Sequence, residues 1–211
     1  MHTTEWAAFR LQAGATVEAL RHASQQMQAQ FLDAQPGFVS RQLLDLNEGG
    51  FADLVVWASP QAAKEMMDKA LRHPACQAYF ALMQVDQAPS ISVVVEQYGT
   101  PPYEPAAREP QPGGLEFSRF RALPGVQESQ LLAAAAKMSN GLYAGKPGYY
   151  GHFLVRNDNA DYADVVLADS AARARSLCAL WGSGPVHPAC KDYLALIDPQ
   201  SMQLDFWQRV S

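Results

Sequence analysis

His73-Pro74-Ala75-Cys76 followed by Tyr79, and His187-Pro188-Ala189-Cys190 followed by Tyr193, place an imidazole, a thiol and a phenol at the same spacing twice in 211 residues. An imidazole in an apolar pocket can serve as a general base near neutral pH, and a phenol can donate to a developing oxyanion. The plainer alternative is structural. Pro suits the first turn of a short helix, His is then its boundary residue, and a Tyr ring packs inside with its hydroxyl at the rim. Two His and two Cys also make up a structural zinc set, but CxxC-type pairs are missing. No metal is expected, and Cys76 and Cys190 read as small buried hydrophobes.

Tyr149-Tyr150-Gly151-His152-Phe153 is the densest aromatic–His cluster. On a strand, Tyr150 and His152 point to one face and Tyr149 and Phe153 to the other. Val39 and Arg41 stand at the matching places of the first half. This asymmetry favours the second half for a working cavity, with His152 or His187 as base and Tyr150 or Tyr193 as oxyanion donor. Arg121, Tyr149, His73, Tyr79 and Trp57 are the further substrate-binding candidates. Arg10 and Arg121 share a first-strand position, and Asp53 and Asp164 a third-strand position. A buried charge needs a partner, so an Arg–Asp pair is expected in each half, with a substrate-carboxylate clamp as the functional rival. Trp57 becomes Ala168 in the second half, so its bulk can plug one pocket and leave the other open.

These residues repeat because the chain repeats. Pro36-Gly37-Phe38 falls on Pro147-Gly148-Tyr149, and Phe51-Ala52-Asp53 on Tyr162-Ala163-Asp164. The unit is roughly a hundred residues, the size of a small domain. Residues 1–98 and 115–211 are the two repeats. Between them 99–114 (GTPPYEPAAREPQPGG) holds five prolines and three glycines, a semi-rigid extended linker.

Each repeat reads as strand, helix, two strands, helix, strand. Trp6–Leu11 and Phe117–Ala122 are the first strands. Thr16 caps a helix with Val17, Leu20, Ala23, Met27 and Phe31 at helical spacing, copied as Leu131, Ala134, Met138 and Leu142. Strand pairs follow: Phe38–Asp45 with Phe51–Ala58, and Tyr149–Arg156 with Tyr162–Ala168. Ser59-Pro60 and Ser170-Ala171 open the second helices. Ile91–Tyr98 and Gln203–Val210 close the repeats. The order βαββαβ is the ferredoxin-like plait, an α+β fold with two helices on one face of an antiparallel sheet. Val93-Val94-Val95, Leu54-Val55-Val56 and Val165-Val166-Leu167 do not alternate, which predicts sheets buried on both faces. Two plaits packed sheet-to-sheet, as an intramolecular dimeric α/β barrel, satisfy that expectation.

The formal net charge of −5 and scattered Lys and Arg argue against nucleic acid. No stretch approaches a membrane span, residues 1–20 lack a targeting pattern, and three cysteines without a secretory signal fit reduced thiols and a cytoplasmic location. Gly182 to Val186 accompany an insertion that breaks the second helix of the second half. No phosphate loop or Ser-His-Asp signature is present.

Val56-Trp57 at a strand end, then Ser59 and Gln61-Ala62 opening a helix, resembles the W-x-S-x-x-A stretch of the antibiotic biosynthesis monooxygenase-like family. The resemblance implies dimeric α+β barrels built from two ferredoxin-like subunits, fused here in one chain. It also implies a small apolar or aromatic ligand, a monomeric fused barrel or a homodimer of it, and no cofactor. Relatives that degrade haem carry a Trp and a His on the second helix and an Asn on the first strand; Met66, Cys76 and Phe9 stand at or near those places, and Met67 where other relatives carry a His. Two functions remain open: a cofactor-independent monooxygenase on a quinol-type substrate, or a non-catalytic binding or stress-responsive barrel. Whether the chain is an enzyme is undecided at this level.

Overall fold

Pro-Gly punctuates both repeats for a backbone reason: Gly37 and Gly148 adopt φ of 79° and 74°, the left-handed region that glycine enters at no steric cost. A Cβ at Gly37 would also come within 2.7 Å of the Ala62 side chain. The computed structural model describes residues 1–46, 49–85, 88–98, 112–182 and 186–210. Most of the expected linker (99–111), the hairpin residues Asn47 and Glu48, and residues 183–185 lie outside these.

The first repeat contains β1 (Thr3–Leu11), α1 (Val17–Gln30), β2 (Phe38–Asp45), β3 (Gly50–Trp57), α2 (Pro60–Ala70), α3 (Pro74–Phe80), a two-residue β4 (Met83–Gln84) and β5 (Ser90–Tyr98). The second contains β6 (Gly114–Arg121), α4 (Glu128–Leu142), β7 (Tyr149–Asn157), β8 (Asp161–Ala168), α5 (Ala171–Cys178), α6 (Pro188–Leu194) and β9 (Gln203–Arg209). Thr16, Ser59 and Ser170 cap α1, α2 and α5 through their side-chain oxygens, as expected from their types. The second helical segment is two helices in both repeats, in keeping with the short-helix reading of the two His-Pro pairs. His73-Pro74 and His187-Pro188 each start a fresh one, because Pro cannot continue the hydrogen-bond ladder behind it.

The chain forms two compact units. One holds residues 1–93 with 209–211, the other 94–208, so β5 contributes to both. In the first unit β1 pairs antiparallel with β3 and with β5, and β3 pairs with β2. In the second, β6 pairs with β8 and β9, and β8 with β7. Each is the ferredoxin-like plait. Leu20, Met27 and Phe31 of the first helix segment join Phe9, Phe51 and Val55 in one core. Leu131, Met138 and Leu142 join Phe120, Tyr162 and Val166 in the other.

β3 and β8 are buried at every residue after the first, so both faces of these strands are covered, as their unbroken apolar runs require. Val93, Val94 and Val95 are only half-buried, against the same expectation. Among the described residues no helix is long and apolar enough to cross a membrane.

Candidate functional site

In the first unit, β2 and β3 run side by side with Arg41 opposite Val55 and Leu43 opposite Asp53. Arg41 and Asp53 meet beneath α3, with Nη2 to Oδ1 at 2.7 Å. The Tyr79 hydroxyl of α3 donates to Asp53 Oδ2 at 2.9 Å, and Arg41 Nη1 donates to Ser24 Oγ of α1 at 2.8 Å. The guanidinium lies 4.9 Å from the Tyr79 ring centre, a cation–π contact. Burial works against the Arg41 charge, but Asp53 and the Tyr79 hydroxyl outweigh it and raise its proton affinity. Burial pushes the Asp53 carboxyl above its ordinary value, with Arg41 and Tyr79 pulling it back.

A cavity of about 300 Å³ opens beside this network. Phe9, Met27, Phe31, Val55 and Met66 wall it. Glu5, Arg41, Asp53 and the Trp57 indole are its polar features. The size lies at the low end of small-molecule sites, and an apolar wall with few polar groups is their usual make-up. Trp57 Nε1–H points to Glu5 Oε2 at 3.4 Å. Burial raises the Glu5 carboxyl, the Trp57 hydrogen bond lowers it, and Asp53 raises it again. Arg41 Nε is buried without a hydrogen-bond partner.

The second unit carries the same constellation with one exchange. Tyr193 donates to both oxygens of Asp164 at 2.9 and 2.8 Å, and His152 Nε2 approaches Asp164 Oδ1 at 2.7 Å. His152 therefore stands where the first unit has Arg41. It is fully buried, its Nδ1 lacks a partner, and the Tyr98 ring lies 5.0 Å away. Glu116 repeats Glu5. Burial pushes its carboxyl up to about 8, with Asp164 adding and a Cys178 hydrogen bond opposing.

A raised carboxyl gives stability that is complete below the unfolded value, near 4.5, and lost as pH rises through about 8. Urea unfolding of wild type is therefore expected to show stability falling across that window, and Glu116→Gln to flatten the fall. An unchanged profile would mean Glu116 is not held neutral.

The structure places the sequence-derived candidates as follows. Tyr79, Tyr193 and His152 all bind the buried Asp of their own unit, so both Tyr hydroxyl protons are engaged there. Trp57, 2% exposed, lines the first-unit cavity instead of plugging it, with its ring edge-on to Phe38. His73 and His187 are the N-terminal boundary residues of α3 and α6. His187 Nδ1 accepts from Ala189 N–H, and His73 stacks 5.0 Å from Phe31 without lining the cavity.

Arg121 does not pair with Asp164. At 70% exposure it meets Asp161 at 2.9 Å, and Arg10 is likewise exposed, opposite Gly50 at a strand end. Both lie one pleat beyond the buried stretch, so the Asp partners come from β2 and β7 instead. Tyr149 and His152 were expected on opposite faces, yet both rings contact Tyr143, at 5.5 and 6.1 Å. A bulge between Tyr149 and Gly151 inserts Tyr150, half-buried, and reverses the alternation. Sequence reasoning missed Glu5 and Glu116. The available signal was a carboxylate at one register in both repeats. Among the described residues no three metal-ligating side chains gather.

No protein-family model matches the chain, and no curated protein matches it. Solved structures do. An anthrone oxidase-like protein aligns over 100% of this chain and 92% of its own, at 15% identity and TM-score 0.63. A monooxygenase-like protein from Listeria innocua aligns over 100% and 95%, at 11% identity and TM-score 0.55. A ferredoxin-fold protein from Listeria monocytogenes related to antibiotic biosynthesis monooxygenases covers 100% and 96%, at 10% identity and TM-score 0.54. The fold is that of the antibiotic biosynthesis monooxygenase-like proteins.

Proposed function

We propose that this chain is a cofactor-independent monooxygenase that takes a small aromatic substrate of the anthrone or quinol type into the first-unit cavity. The observation that carries the reading is Arg41. It is a buried, fixed positive charge among the residues that line an otherwise apolar cavity. A substrate that loses a proton becomes an enolate or phenolate. In a dry site, a preorganised guanidinium stabilises that charge without solvent reorganisation. The anion then reduces molecular oxygen. For an anthrone, the ring methylene and one O2 become a ketone and one water. The anthrone oxidase-like and monooxygenase-like structures of the same fold support the choice of reaction.

One observation favours the non-catalytic alternative. Tyr79 and Tyr193 already give their hydroxyl protons to Asp53 and Asp164, as purely structural side chains would. An oxygen electrode separates the two readings. The oxygenase consumes one O2 per quinone formed from anthrones or hydroxynaphthalenes. A binding module takes up these compounds with no oxygen consumption, and that result across a broad panel would end the proposal.

A further inference from the structure

We propose that Glu5 is the general base of the first-unit cavity and that the Trp57 indole positions it. The substrate class rests on the oxygenase reading above; the assignment of the base rests on the cavity itself. Three charged groups line that cavity: Glu5, Arg41 and Asp53. Asp53 is committed, one oxygen 2.7 Å from Arg41 and the other accepting from Tyr79 at 2.9 Å. Arg41 cannot act as a base, because a guanidinium does not deprotonate in proteins. Glu5 is left. Its hydrogen bond from Trp57, at 3.4 Å, is long enough to orient the carboxylate without occupying it fully. His152 and His187 belong to the second unit and do not line this cavity.

The second repeat provides an internal control. Glu116 has the same place on its strand, but the residue matching Trp57 is Ala168, which has no N–H to offer. Glu116 has the Cys178 thiol in place of an indole as its opposing hydrogen bond, and burial together with Asp164 pushes its carboxyl up to about 8. The Trp57 hydrogen bond opposes the effect of burial on the Glu5 carboxyl and favours its ionised, proton-accepting form. A base in a dry cavity works best when its proton affinity is raised toward the working pH yet not beyond it.

The step is a single proton transfer. The C–H bond of the anthrone methylene breaks, and its proton moves to a Glu5 carboxylate oxygen. The electron pair enters the ring system, giving an enolate in a cavity that the positively charged Arg41 side chain helps to line. No oxidant takes part; molecular oxygen receives electrons only afterwards.

Anaerobic titration of the full chain with 1,8-dihydroxyanthrone isolates this step. Equilibrium dialysis reads binding, and visible absorbance after rapid mixing reads the rate at which the bound anion forms. Wild type should form the anion at a pH where the free compound is neutral. Glu5→Gln should bind with little change in affinity yet form the anion about 100-fold more slowly after rapid mixing, and in air should lose about 100-fold in kcat. Trp57→Phe should move the pH midpoint of anion formation upward, a shift that a merely packing role for the indole would not produce. Anion formation undiminished in Glu5→Gln, a midpoint unmoved in Trp57→Phe, or bound ligand that stays neutral in wild type would each overturn the assignment. Anion formation that requires Glu5 but leads to no oxygen uptake in air would uphold the base and remove the oxygenase.

Discussion

Asp53→Asn lowers the unfolding free energy by about 3–5 kcal/mol, measured by urea denaturation, because it strands the Arg41 charge in the protein interior. The Arg41 side chain is 4% exposed, and the oxygens it and Tyr79 use are the two on Asp53. The guanidinium cannot shed its proton. The matching change in the second unit, Asp164→Asn, is expected to cost less. There the partner at the matching place is the His152 imidazole, which is not a permanently charged guanidinium. Equal losses at the two sites would show that charge is not what the first network contains. The triple replacement Arg41→Met, Asp53→Leu, Tyr79→Phe should recover most of the loss, since well-packed apolar groups often replace a buried ion pair at no net cost. That variant folds without the charge proposed to hold the substrate anion, so it should also lose turnover.

The second large effect comes from moving side chains between the repeats. Leu32 and Ala70 line the first-unit cavity. At the corresponding places the second unit has Tyr143 and Trp181, joined by a hydrogen bond from the indole Nε1 to the phenol oxygen and packed into its core. The hollow of the first unit thus coincides with two positions where its repeat carries large aromatic rings. Leu32→Tyr with Ala70→Trp should fill the space and weaken anthrone binding by about 100-fold, roughly 2.7 kcal/mol, in equilibrium dialysis. Stability should change by less than about 3 kcal/mol, because the added rings enter empty volume instead of an occupied core. Unaltered binding in a folded double variant would place the ligand elsewhere.

Much of the architecture could be read from the residues, because repetition doubles every signal. Thr16, Ser59 and Ser170 cap helices by virtue of their oxygens, and Pro36-Gly37 turns where only glycine is at ease. Burial on both faces of β3 follows from Leu54-Val55-Val56 alone. The site was harder to see. Reading the first strands from Trp6 and Phe117 stopped one residue after Glu5 and Glu116, since a lone carboxylate at the head of an apolar run looks like a solvated boundary. The structure instead extends β1 back to Thr3, with Glu5 paired against Val55. Alternation also misled at Tyr150, because a bulge is a matter of backbone count and residue types do not announce it. Arg41 was visible as the counterpart of His152, but its partner was sought on the first strand. A side chain that crosses from one strand to its neighbour leaves no periodic trace.

The division of β5 has a consequence for how the molecule is made. Residues 94–98 count in the second unit, where the Tyr98 ring rests beside His152. Residues 209–211 count in the first, where Val210 N–H donates to Leu43 O at 2.9 Å. On the ribosome, the N-terminal plait therefore gains this contact along β2 only once Val210 has emerged. A fragment ending between the repeats would lack the Val210 N–H that Leu43 O accepts.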